Sequence, residues 1–428
     1  METELLSITG LHWEIRVRVP NGADSFVVPF PTVHPVNLVY HGEKPFNYGH
    51  YGIHVGQEDR LTFLGPSNKR ITAYFIDCRT SSSTRGSRLK VQFAPSSSRT
   101  LCIPPGVAHA FDGLDSVHTI NDYNLFLPDP DKLFSEQSDW NPSSDVVNIS
   151  MDVSDADLTF VEENKHTASD LFYGLIASQQ REAIPQVTTE YPSTMDVDAE
   201  DGRKVRLMFR RTEVLDAPGI PEWEPVQEIQ GVGWKRHLNL ASGPHSGFVP
   251  LLDYGPFYVV DHGEDSYSHD AYGIHVCQED RLTFIGPSEQ EINLTLVDCR
   301  RGSRTLHDRV DIRFNPCPRR CLIIPNGIAH KFAGLEKVFT INRPRILSDD
   351  LESYQPSTDV IDWPGESVDF PVLEASDREA PPLYYHQQAE AQRRQLSSPP
   401  QHSTPVVIPM KDSDGNLVRV ALRRTVKA

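Results

Sequence analysis

Short apolar runs broken by Pro, Gly and Asn set the pattern of the N-terminal half of the chain, and helical periodicity is absent from residues 5–47. Two β-rich runs at 60–64 (RLTFL) and 71–76 (ITAYFI) flank a Gly-Pro-Ser turn and should pair as a hairpin. Residues 89–93 (LKVQF) alternate apolar and polar positions, and 100–103 (TLCI) should be their partner. Many short strands at near-regular spacing predict an all-β fold, an antiparallel sandwich or barrel.

The pattern weakens beyond residue 129. Residues 160–181 favour one or two helices, so we expect a few short helices beside the strands. Residues 394–405 (RQLSSPPQHSTP) combine Ser, Pro and Gln without apolar anchors, which is typical of a linker. We therefore predict a flexible segment at about 391–405.

One long segment occurs twice. Residues 51–67 (YGIHVGQEDRLTFLGPS) return at 272–288 (YGIHVCQEDRLTFIGPS) with two differences and a spacing of 221 residues. Two further motif pairs share this spacing: Asp-Cys-Arg at 77–79 and 298–300, and Pro-x-Gly-x-x-His at 104–109 and 325–330. A period this long indicates a duplicated domain, because the units of a solenoid run to roughly 20–50 residues.

A second match places the boundary between the copies. Residues 201–212 (DGRKVRLMFRRT) resemble 414–425 (DGNLVRVALRRT), so each copy should end in a strand. We predict an N-terminal domain at 1–217 and a C-terminal domain at 218–428, a count that the chain length also favours.

Composition excludes several classes of protein. With 59 acidic against 41 basic residues the formal charge is −18, which argues against a nucleic-acid surface. The six cysteines form no CxxC pair and no tight framework, so reduced thiols are expected. No basic start precedes an apolar core, and no apolar run reaches about 18 residues. We predict a cytoplasmic protein with a small-molecule substrate, no cofactor, and no nucleic-acid or membrane partner.

Two histidines per copy lie in the most faithfully repeated segments: His54 and His109 in the first, His275 and His330 in the second. An imidazole titrates near neutrality, so one that faces a barrel cavity can accept a proton bound to carbon or oxygen. The alternative is a hydrogen-bonded histidine with a purely structural role. A third interpretation is a metal site, since His54, Glu58 and His109 supply two imidazoles and a carboxylate.

Charged residues near these histidines also allow two interpretations. Arg60 and Arg281 follow their histidines by six residues, where a fixed cation can hold an oxyanion or a phosphate. They can equally pair with Glu58 or Asp59 at a strand end. Asp77-x-Arg79 and its repeat are either a pocket pair or a structural ion pair, and we favour the structural interpretation.

Three segments of each copy resemble the dTDP-4-dehydrorhamnose 3,5-epimerases, a branch of the cupin superfamily. In the first copy they are YGIHVxQ from residue 51, DCRTSSSTRG at 77–86 and IPPGVAHAF at 103–111. The family shows RGLHxQ, DxRxxSxTxG and IPPGFAHGF in this order. The resemblance implies two tandem cupin-type jelly-roll barrels that form a fused pseudo-dimer, because dimers of the family exchange strands, and it leaves further homo-oligomers open.

The resemblance also implies roles for single residues. The family's base corresponds to His54 and His275, while Asp377, in a segment similar to LSxKD, is the expected partner of His275. Tyr123 resembles the acid tyrosine of the family's TDYY segment, and Arg60 and Arg281 lie where a lysine stabilises the enolate. The expected catalytic residues are His54, Tyr123, His275 and Asp377. The expected substrate contacts are Tyr51, Gln57, Arg60, His109, Tyr272, Gln278, Arg281 and His330.

Neither copy carries the complete set. Tyr51 and Tyr272 replace the arginine that contacts phosphate in the family, and they could stack on a ligand ring instead. The second copy has Arg343-Pro344 in place of the acid tyrosine, and a loose alignment puts His166 at the position of Asp377 in the first copy.

The sequence therefore predicts a sugar-epimerase-like isomerase. It would remove and return a proton next to the carbonyl of a keto-sugar, possibly nucleotide-linked, or of a related ketone. The alternatives are a non-catalytic ligand-binding or scaffold bicupin, and a metal-dependent cupin enzyme.

Overall fold

The chain forms two units, each assembled from three segments. The structure, a computed structural model, describes residues 2–21, 25–45, 48–128, 146–170, 172–174, 177, 195–198, 204–207, 220–243, 246–253, 255–265, 268–352, 354, 359–397, 406–411 and 417–422. Unit 1 comprises Met1–Arg16, His34–Pro218 and His237–Asp253, and unit 2 comprises Val17–Val33, Gly219–Arg236 and Tyr254–Ala428.

Nearly all regular structure is β-strand. In chain order the first strands are β1 (Glu2–Leu5), β2 (His12–Ile15), β3 (Val19–Pro20), β4 (Phe26–Phe30), β5 (Val36–Tyr40), β6 (His50–His54), β7 (Gln57–Leu64), β8 (Ile71–Asp77), β9 (Arg88–Phe93), β10 (Arg99–Ile103), β11 (Val107–Asp112), β12 (His118–Asn121), β13 (Asn124–Leu127), β14 (Val146–Ser150), β15 (His166–Thr167), β16 (Met195–Asp198) and β17 (Lys204–Leu207). The later strands are β18 (Trp223–Pro225), β19 (Gly233–Arg236), β20 (Leu240–Gly243), β21 (Ser246–Leu251), β22 (Phe257–Asp261), β23 (Ala271–His275), β24 (Gln278–Ile285), β25 (Ile292–Asp298), β26 (Arg309–Phe314), β27 (Arg320–Ile324), β28 (Ile328–Ala333), β29 (Phe339–Asn342), β30 (Arg345–Ile346), β31 (Val360–Pro364), β32 (Val406–Lys411) and β33 (Leu417–Leu422). Within the described part of the chain, helix α1 (Pro382–Ser397) and a short 3-10 helix (Asp155–Asp157) accompany them, and residues 170, 172–174 and 177 are also helical.

Each unit contains a large and a small antiparallel sheet with the same strand order. In unit 1 the orders are β1-β2-β10-β7-β12-β5-β21-β20 and β14-β6-β11-β8-β9. In unit 2 they are β18-β19-β27-β24-β29-β22-β4-β3 and β26-β25-β28-β23-β31. The predicted fold class is confirmed: the protein is all-β and has two cupin-type jelly-roll barrels.

The core of each barrel lies between its two sheets. In unit 1, alternate residues of the large sheet such as Trp13, Phe63 and Leu101 meet Phe75 and Phe111 of the small sheet. The aromatic rings pack edge to face or tilted, and Phe63 lies 5.5 Å from Phe111. Strands with one face in this core alternate buried and partly exposed positions, which fixes which side chains can face the interior.

The predicted strand pairs were wrong although the strands exist. Strand β7 pairs with β10, β12 and β13, whereas β8 pairs with β9 and β11 in the other sheet. Here the chain crosses from the large sheet to the small one between β7 and β8, so the turn at Gly65 links the sheets and closes no hairpin. The same crossing separates β9 from β10.

Two segments depart from the contiguous division at 217/218. Residues 17–33 belong to unit 2, where β4 pairs with β22, and residues 237–253 belong to unit 1, where β21 pairs with β5. Apolar runs alone could not reveal this, because an edge strand pairs equally well with either copy's sheet. The terminal segments form separate two-stranded sheets, β16 with β17 and β32 with β33.

The helix predictions need two corrections. Residues 160–169 are irregular or in β15, helical residues begin only at 170, and residues 178–181 lie outside the described part. Residues 391–397 of the predicted flexible segment form the end of α1, where Ala, Gln and Arg favour helix and Pro382 suits the first turn. Residues 398–405 lie outside the described part.

Two further observations concern the whole chain. All six cysteines are free thiols, as predicted. Among the described residues, no helix combines the length and apolarity needed to cross a membrane.

Candidate active site

The interior of the unit 1 barrel holds two imidazoles on one carboxylate. His54 ends β6 and His109 lies on β11, both in the small sheet, and Asp59 reaches them from β7 of the large sheet. The Oδ2 atom of Asp59 lies 3.5 Å from His54 Nε2 and 3.1 Å from His109 Nε2. The three side chains therefore bridge the two sheets inside the core.

Unit 2 repeats this arrangement and adds a carboxylate. Asp280 Oδ2 lies 3.6 Å from Nε2 of both His275 and His330. On the other edge of the ring, Asp359 Oδ2 lies 3.4 Å from His275 Nδ1. Asp359 directly precedes β31, which pairs with β23, so strand pairing brings it beside His275.

Amide side chains hold each shared carboxylate in place. Gln57 and Asn121 donate to Asp59 Oδ1 at 2.5 and 2.9 Å. In unit 2, Gln278 and Asn342 donate to Asp280 Oδ1 at 2.7 and 2.8 Å. With Oδ1 occupied by these donors, Oδ2 is left to the imidazoles.

The Pro-x-Gly-x-x-His motif ties the two histidine strands together. Gly106 has φ +79° and donates its N–H to the carbonyl of His54 at 2.7 Å. A Cβ at Gly106 would lie 2.4 Å from Cγ of Arg79, so only glycine fits this left-handed turn. Gly327 repeats the geometry with φ +76° and a 2.6 Å bond to His275 O.

A hydrogen bond to the backbone fixes the tautomer of the second histidine. His109 Nδ1 lies 3.2 Å from Val107 O, and His330 Nδ1 lies 3.3 Å from Ile328 O. A carbonyl oxygen only accepts, so Nδ1 carries the hydrogen and the neutral ring directs an Nε2 lone pair at the carboxylate.

The electrostatics of unit 2 separate its two imidazoles. Burial disfavours the charged form of His275, but Asp280 and Asp359 outweigh burial and raise its pKa to about 9. Burial and the neighbouring charge of His275 lower the pKa of His330, against the attraction of Asp280. Burial alone would raise the pKa of Asp280, but the two imidazoles lower it, so this carboxylate is ionised. The same balance, with His54 and His109, lowers the pKa of Asp59.

A small cavity of about 20 Å³, with room for about one water, adjoins the unit 2 site. One of its walls is Gln278, whose amide nitrogen lies 3.3 Å from His275 Nε2. Helix α1 closes one side with Tyr385, Gln388 and Gln392. The complete lining is Pro256, Tyr258, Gln278, Pro344, Ile346, Tyr354, Tyr385, Gln388 and Gln392.

The predicted substrate contacts Arg60 and Arg281 face away from the histidines. Arg60 follows Asp59 directly, so strand alternation turns it to the opposite face of the sheet. There it binds Glu14 through two bonds of 3.0 and 2.6 Å and approaches Glu58 at 3.4 Å. Arg281 likewise binds Glu279 at 3.0 Å. Neither guanidinium is placed to steady an enolate at the imidazoles, so this prediction was wrong.

The predicted stacking tyrosines also lie on the wrong face. Tyr51 and Tyr272 are 6% and 0% exposed and pack in apolar clusters with Ile53 and Ile274, opposite the histidines of the same strands. The ring of Tyr272 stands edge-on to Phe370 at 5.1 Å. These tyrosines are core residues.

The predicted carboxylate does not hold either, whereas the role of Tyr123 as the acid stays a prediction. Asp377 is exposed, and the carboxylates that contact His275 are Asp280 and Asp359. Tyr123 packs in a cluster with Leu125, Leu127, Ala168, Phe172 and Tyr173. His166 is exposed in β15.

Sequence reasoning missed three carboxylates, each with a usable signal. Asp59 and Asp280 stand in the repeated Gln-Glu-Asp-Arg run, where a buried strand alternating from Gln57 would have turned Asp59 inward. Ser-Asp-Val-Val at 144–147 resembles Thr-Asp-Val-Ile at 358–361, although at a spacing of 214 residues. Asp145, the counterpart of Asp359, lies outside the described residues.

The Asp77 and Arg79 pair is part of a folded loop. Asp77 is fully buried, binds Arg79 at 2.8 Å and accepts from Ser82 and Thr84 at 2.5 and 2.6 Å. Arg79 also donates to Thr9 O at 2.7 Å. The contacts satisfy every member internally, as the structural interpretation requires.

The two His-Asp-His sets are the candidate metal ligands. In each, the three ligand atoms lie within 4.8 Å of one another, and two imidazoles with one carboxylate suit a divalent transition metal. The carboxylate is Asp59, whereas the sequence suggested Glu58, which faces outward. A further group of His12, Glu14 and Cys102 already has the Arg60 guanidinium 3.0 Å from Glu14 and 3.5 Å from Cys102 Sγ, which opposes a second cation.

Comparisons with known proteins found similar solved structures. No protein-family model matches the sequence, and no curated protein matches it. The rmlC epimerase of Mycobacterium tuberculosis is 15% identical over 40% of this chain and 84% of its own, with a TM-score of 0.27. The Legionella pneumophila dTDP-6-deoxy-D-glucose-3,5-epimerase, in complex with dTDP-4-keto-L-rhamnose, is 15% identical over 40% of this chain and 90% of its own, with a TM-score of 0.26. The oxalate decarboxylase of Lactobacillus farciminis is 10% identical over 79% of this chain and 87% of its own, with a TM-score of 0.23. At such scores the side chains of the site must carry any functional argument.

Proposed function

We propose that the protein is a sugar-epimerase-like isomerase that moves a proton next to a carbonyl group, and that unit 2 carries the reaction. The observation that supports this is the pair of imidazoles on one buried carboxylate, beside a cavity. Their pKa values are pushed apart, with His275 at about 9 and His330 lowered. Such a pair offers a proton donor and a proton acceptor at the same pH.

In this scheme the roles follow from charge. His330 is neutral near pH 7 and takes the proton from the carbon next to the carbonyl. His275 carries a proton and hydrogen-bonds the carbonyl oxygen as it becomes an enolate. Asp359 orients His275, the task that the sequence gave to Asp377. Solvent water then delivers a proton to the other face of the enolate, and His330 releases the proton it took to solvent, so the centre is inverted and the protons balance.

Exchange of substrate hydrogen with deuterated solvent tests this proposal, because enolisation labels the carbon even without net epimerisation. Keto-sugars, free and nucleotide-linked, and simpler ketones would be followed by NMR. We expect His330→Asn and His275→Asn each to slow exchange by about 100-fold or more. The exposed Asp377→Asn is the matched control and should exchange at the wild-type rate. Absence of exchange with every ketone would favour the binding-protein interpretation.

One observation favours a second candidate, a metal-dependent cupin enzyme. His330 Nδ1 faces a backbone carbonyl and His275 Nδ1 faces Asp359, the outer-shell partners that metal-bound histidines usually have. His275, Asp280 and His330 would hold the ion, which would supply Lewis-acid polarisation of a carbonyl or carboxylate. Elemental analysis of protein purified without chelators decides between the candidates. A stoichiometric metal whose removal abolishes activity would replace the proton-pair scheme.

A further inference from the structure

Asn326 lies in the turn before β28 of unit 2, where unit 1 has Pro105. Its side chain is buried, with 4% of the residue exposed. The amide nitrogen donates two hydrogen bonds of 3.0 Å, one to the carbonyl of Val276 and one to the carbonyl of Ser376. A primary amide nitrogen carries two hydrogens, so both are used. The side chain therefore joins the loop that follows His275 to a second backbone segment.

Unit 1 satisfies the same carbonyl in a different way. There the carbonyl of Val55, the counterpart of Val276, accepts the backbone N–H of Asn164 at 2.9 Å. Asn164 and Ser376 are equivalent positions, because each lies three residues beyond the residue that bridges to the Asp-x-Arg motif of its unit. In unit 2 the side chain of Asn326 bridges these two backbone segments, so it does there what a direct backbone bond does in unit 1.

The carbonyl that Asn326 binds shares its peptide group with the N–H of Cys277. That N–H donates to Oδ2 of Asp359 at 3.3 Å, and the same oxygen lies 3.4 Å from Nδ1 of His275. Within the described part of the chain, Oδ1 of Asp359 has no hydrogen-bond partner. The Cys277 N–H therefore holds the carboxylate oxygen that faces the imidazole.

The planarity of the peptide bond couples these contacts. The carbonyl and the N–H of one peptide group turn together, so a carbonyl fixed by Asn326 also fixes the direction of the Cys277 N–H toward Asp359. The next residue of the turn acts on the same loop, since the N–H of Gly327 donates to the carbonyl of His275 at 2.6 Å. The turn thus holds two successive peptide groups beside the imidazole.

We propose that Asn326 is a positioning residue for His275 and acts through the Val276–Cys277 peptide and Asp359. The proposal deepens the proposed function and rests on it, because the oriented imidazole is the hydrogen-bond donor of that reaction. Since unit 1 has Pro105 at this position, the contact is specific to unit 2.

Deuterium exchange of the ketone tests the proposal through its rate. Asn326→Ala removes both donors and should slow exchange about 10-fold at saturating ketone, with the KM changed less than about 2-fold. In an Asp359→Ala background the same substitution should slow exchange less than about 2-fold, because its effect passes through that carboxylate. Asn315→Ala is the matched control and should exchange at the wild-type rate. Asn315 also donates to a backbone carbonyl of unit 2, that of Gln290 at 2.8 Å, but it is exposed and follows the edge strand β26.

Amide hydrogen exchange, followed by NMR, tests the positioning without turnover. The Cys277 amide should be as protected as the Gly327 amide in the wild type and should exchange about 10-fold faster in Asn326→Ala. If that variant does not fold, Asn326→Ser keeps one shorter donor and should lose part of the protection.

An unprotected Cys277 amide in the wild type, full protection of it in the folded variants, or equal slowing of ketone exchange in both backgrounds overturns the proposal. A wild type that exchanges no ketone removes the proposed reaction instead. Loss of Cys277 protection in Asn326→Ala would then still show that Asn326 controls the contact with Asp359.

Discussion

Replacing Asp359 by Asn isolates the electrostatic control of His275. The substitution keeps the size of the side chain and removes one negative charge from a position 3.4 Å from His275 Nδ1. Asp280, on the other edge of the ring, remains. The expected result is a lower pKa for His275, with the barrel otherwise unchanged.

The magnitude follows from the two carboxylates. Together they raise the pKa of His275 from 6.5 to about 9 against the opposing effect of burial. At 1.36 kcal/mol per pKa unit, this corresponds to about 3 kcal/mol of preference for the charged ring in the folded state. Loss of one close opposite charge shifts a pKa by about 1–3, so Asp359→Asn should remove about 2 kcal/mol of that preference.

The same numbers fix the sign of the pH dependence of stability. Because the folded pKa lies above the unfolded value, His275 stabilises the protein fully below pH 6.5, and this contribution is lost as the pH rises to about 9. The wild type should therefore lose about 3 kcal/mol of unfolding free energy from this group across that window. Asp359→Asn should lose about 1 kcal/mol.

NMR titration of ¹⁵N-labelled histidine, with metal removed by a chelator, measures the pKa directly, and His275→Asn assigns the resonance. Urea unfolding at pH 6 and pH 9.5 gives the stability difference. Asp377→Asn, also a carboxylate lost from the same unit but exposed, should leave both quantities unchanged. A His275 pKa in Asp359→Asn equal to the wild-type value would refute the electrostatic reasoning.

Three further predictions concern the stability contributed by Arg60 and by Asp298, and the pH dependence of exchange that His275 controls. Arg60→Met should lower the unfolding free energy by about 2 kcal/mol in urea titrations, because it leaves the largely buried Glu14 without its cation. Deuterium exchange should persist in this variant, since Arg60 lies outside the site. The exposed Arg301→Met should cost less than about 0.5 kcal/mol by the same measurement. Asp298→Asn should destabilise unit 2 by about 2 kcal/mol above pH 4, and less at acidic pH, because burial is outweighed by donors that lower its pKa. If protonated His275 is the donor, the exchange rate should fall above a pH of about 9. A rate that instead rises up to that pH would make His275 the base.

Sequence patterns located the histidines but assigned their neighbours to the wrong faces. His54 and His109 stood out because the repeated segments and the Pro-x-Gly-x-x-His turn recur at a fixed spacing. Asp59 and Arg60 are adjacent in that repeat, so choosing the functional one required knowing which face of β7 points inward. A shift of one residue exchanges the faces, so the alternation from Gln57 assigns Asp59 to the interior only once one residue of the strand is known to face inward.

Contacts between distant strands were beyond the sequence for a different reason. Asp359 reaches His275 only because β31 pairs with β23, and although the repeat of Asp-Val at 145–146 and 359–360 marks the residue, it does not specify that pairing. The all-β class, by contrast, depends on local alternation and turns, which are readable from short windows. Strands β4 and β21 could not be assigned to a unit for the same reason. The sequence of an apolar edge strand does not specify which sheet it joins.

The two barrels hold the same triad but different walls, which argues that they bind different ligands or that one binds none. Leu125 and Ile346 occupy equivalent positions, and each donates its N–H to a tyrosine hydroxyl, Tyr173 at 2.7 Å and Tyr385 at 2.9 Å. Two residues earlier, unit 1 has Tyr123 where unit 2 has Pro344, a wall of the cavity. A phenol ring in place of proline adds bulk at that position, and Asn37 stands where unit 2 has Tyr258. A duplicated pair of histidines therefore does not imply duplicated specificity, and the His275→Asn and His54→Asn variants should affect exchange unequally.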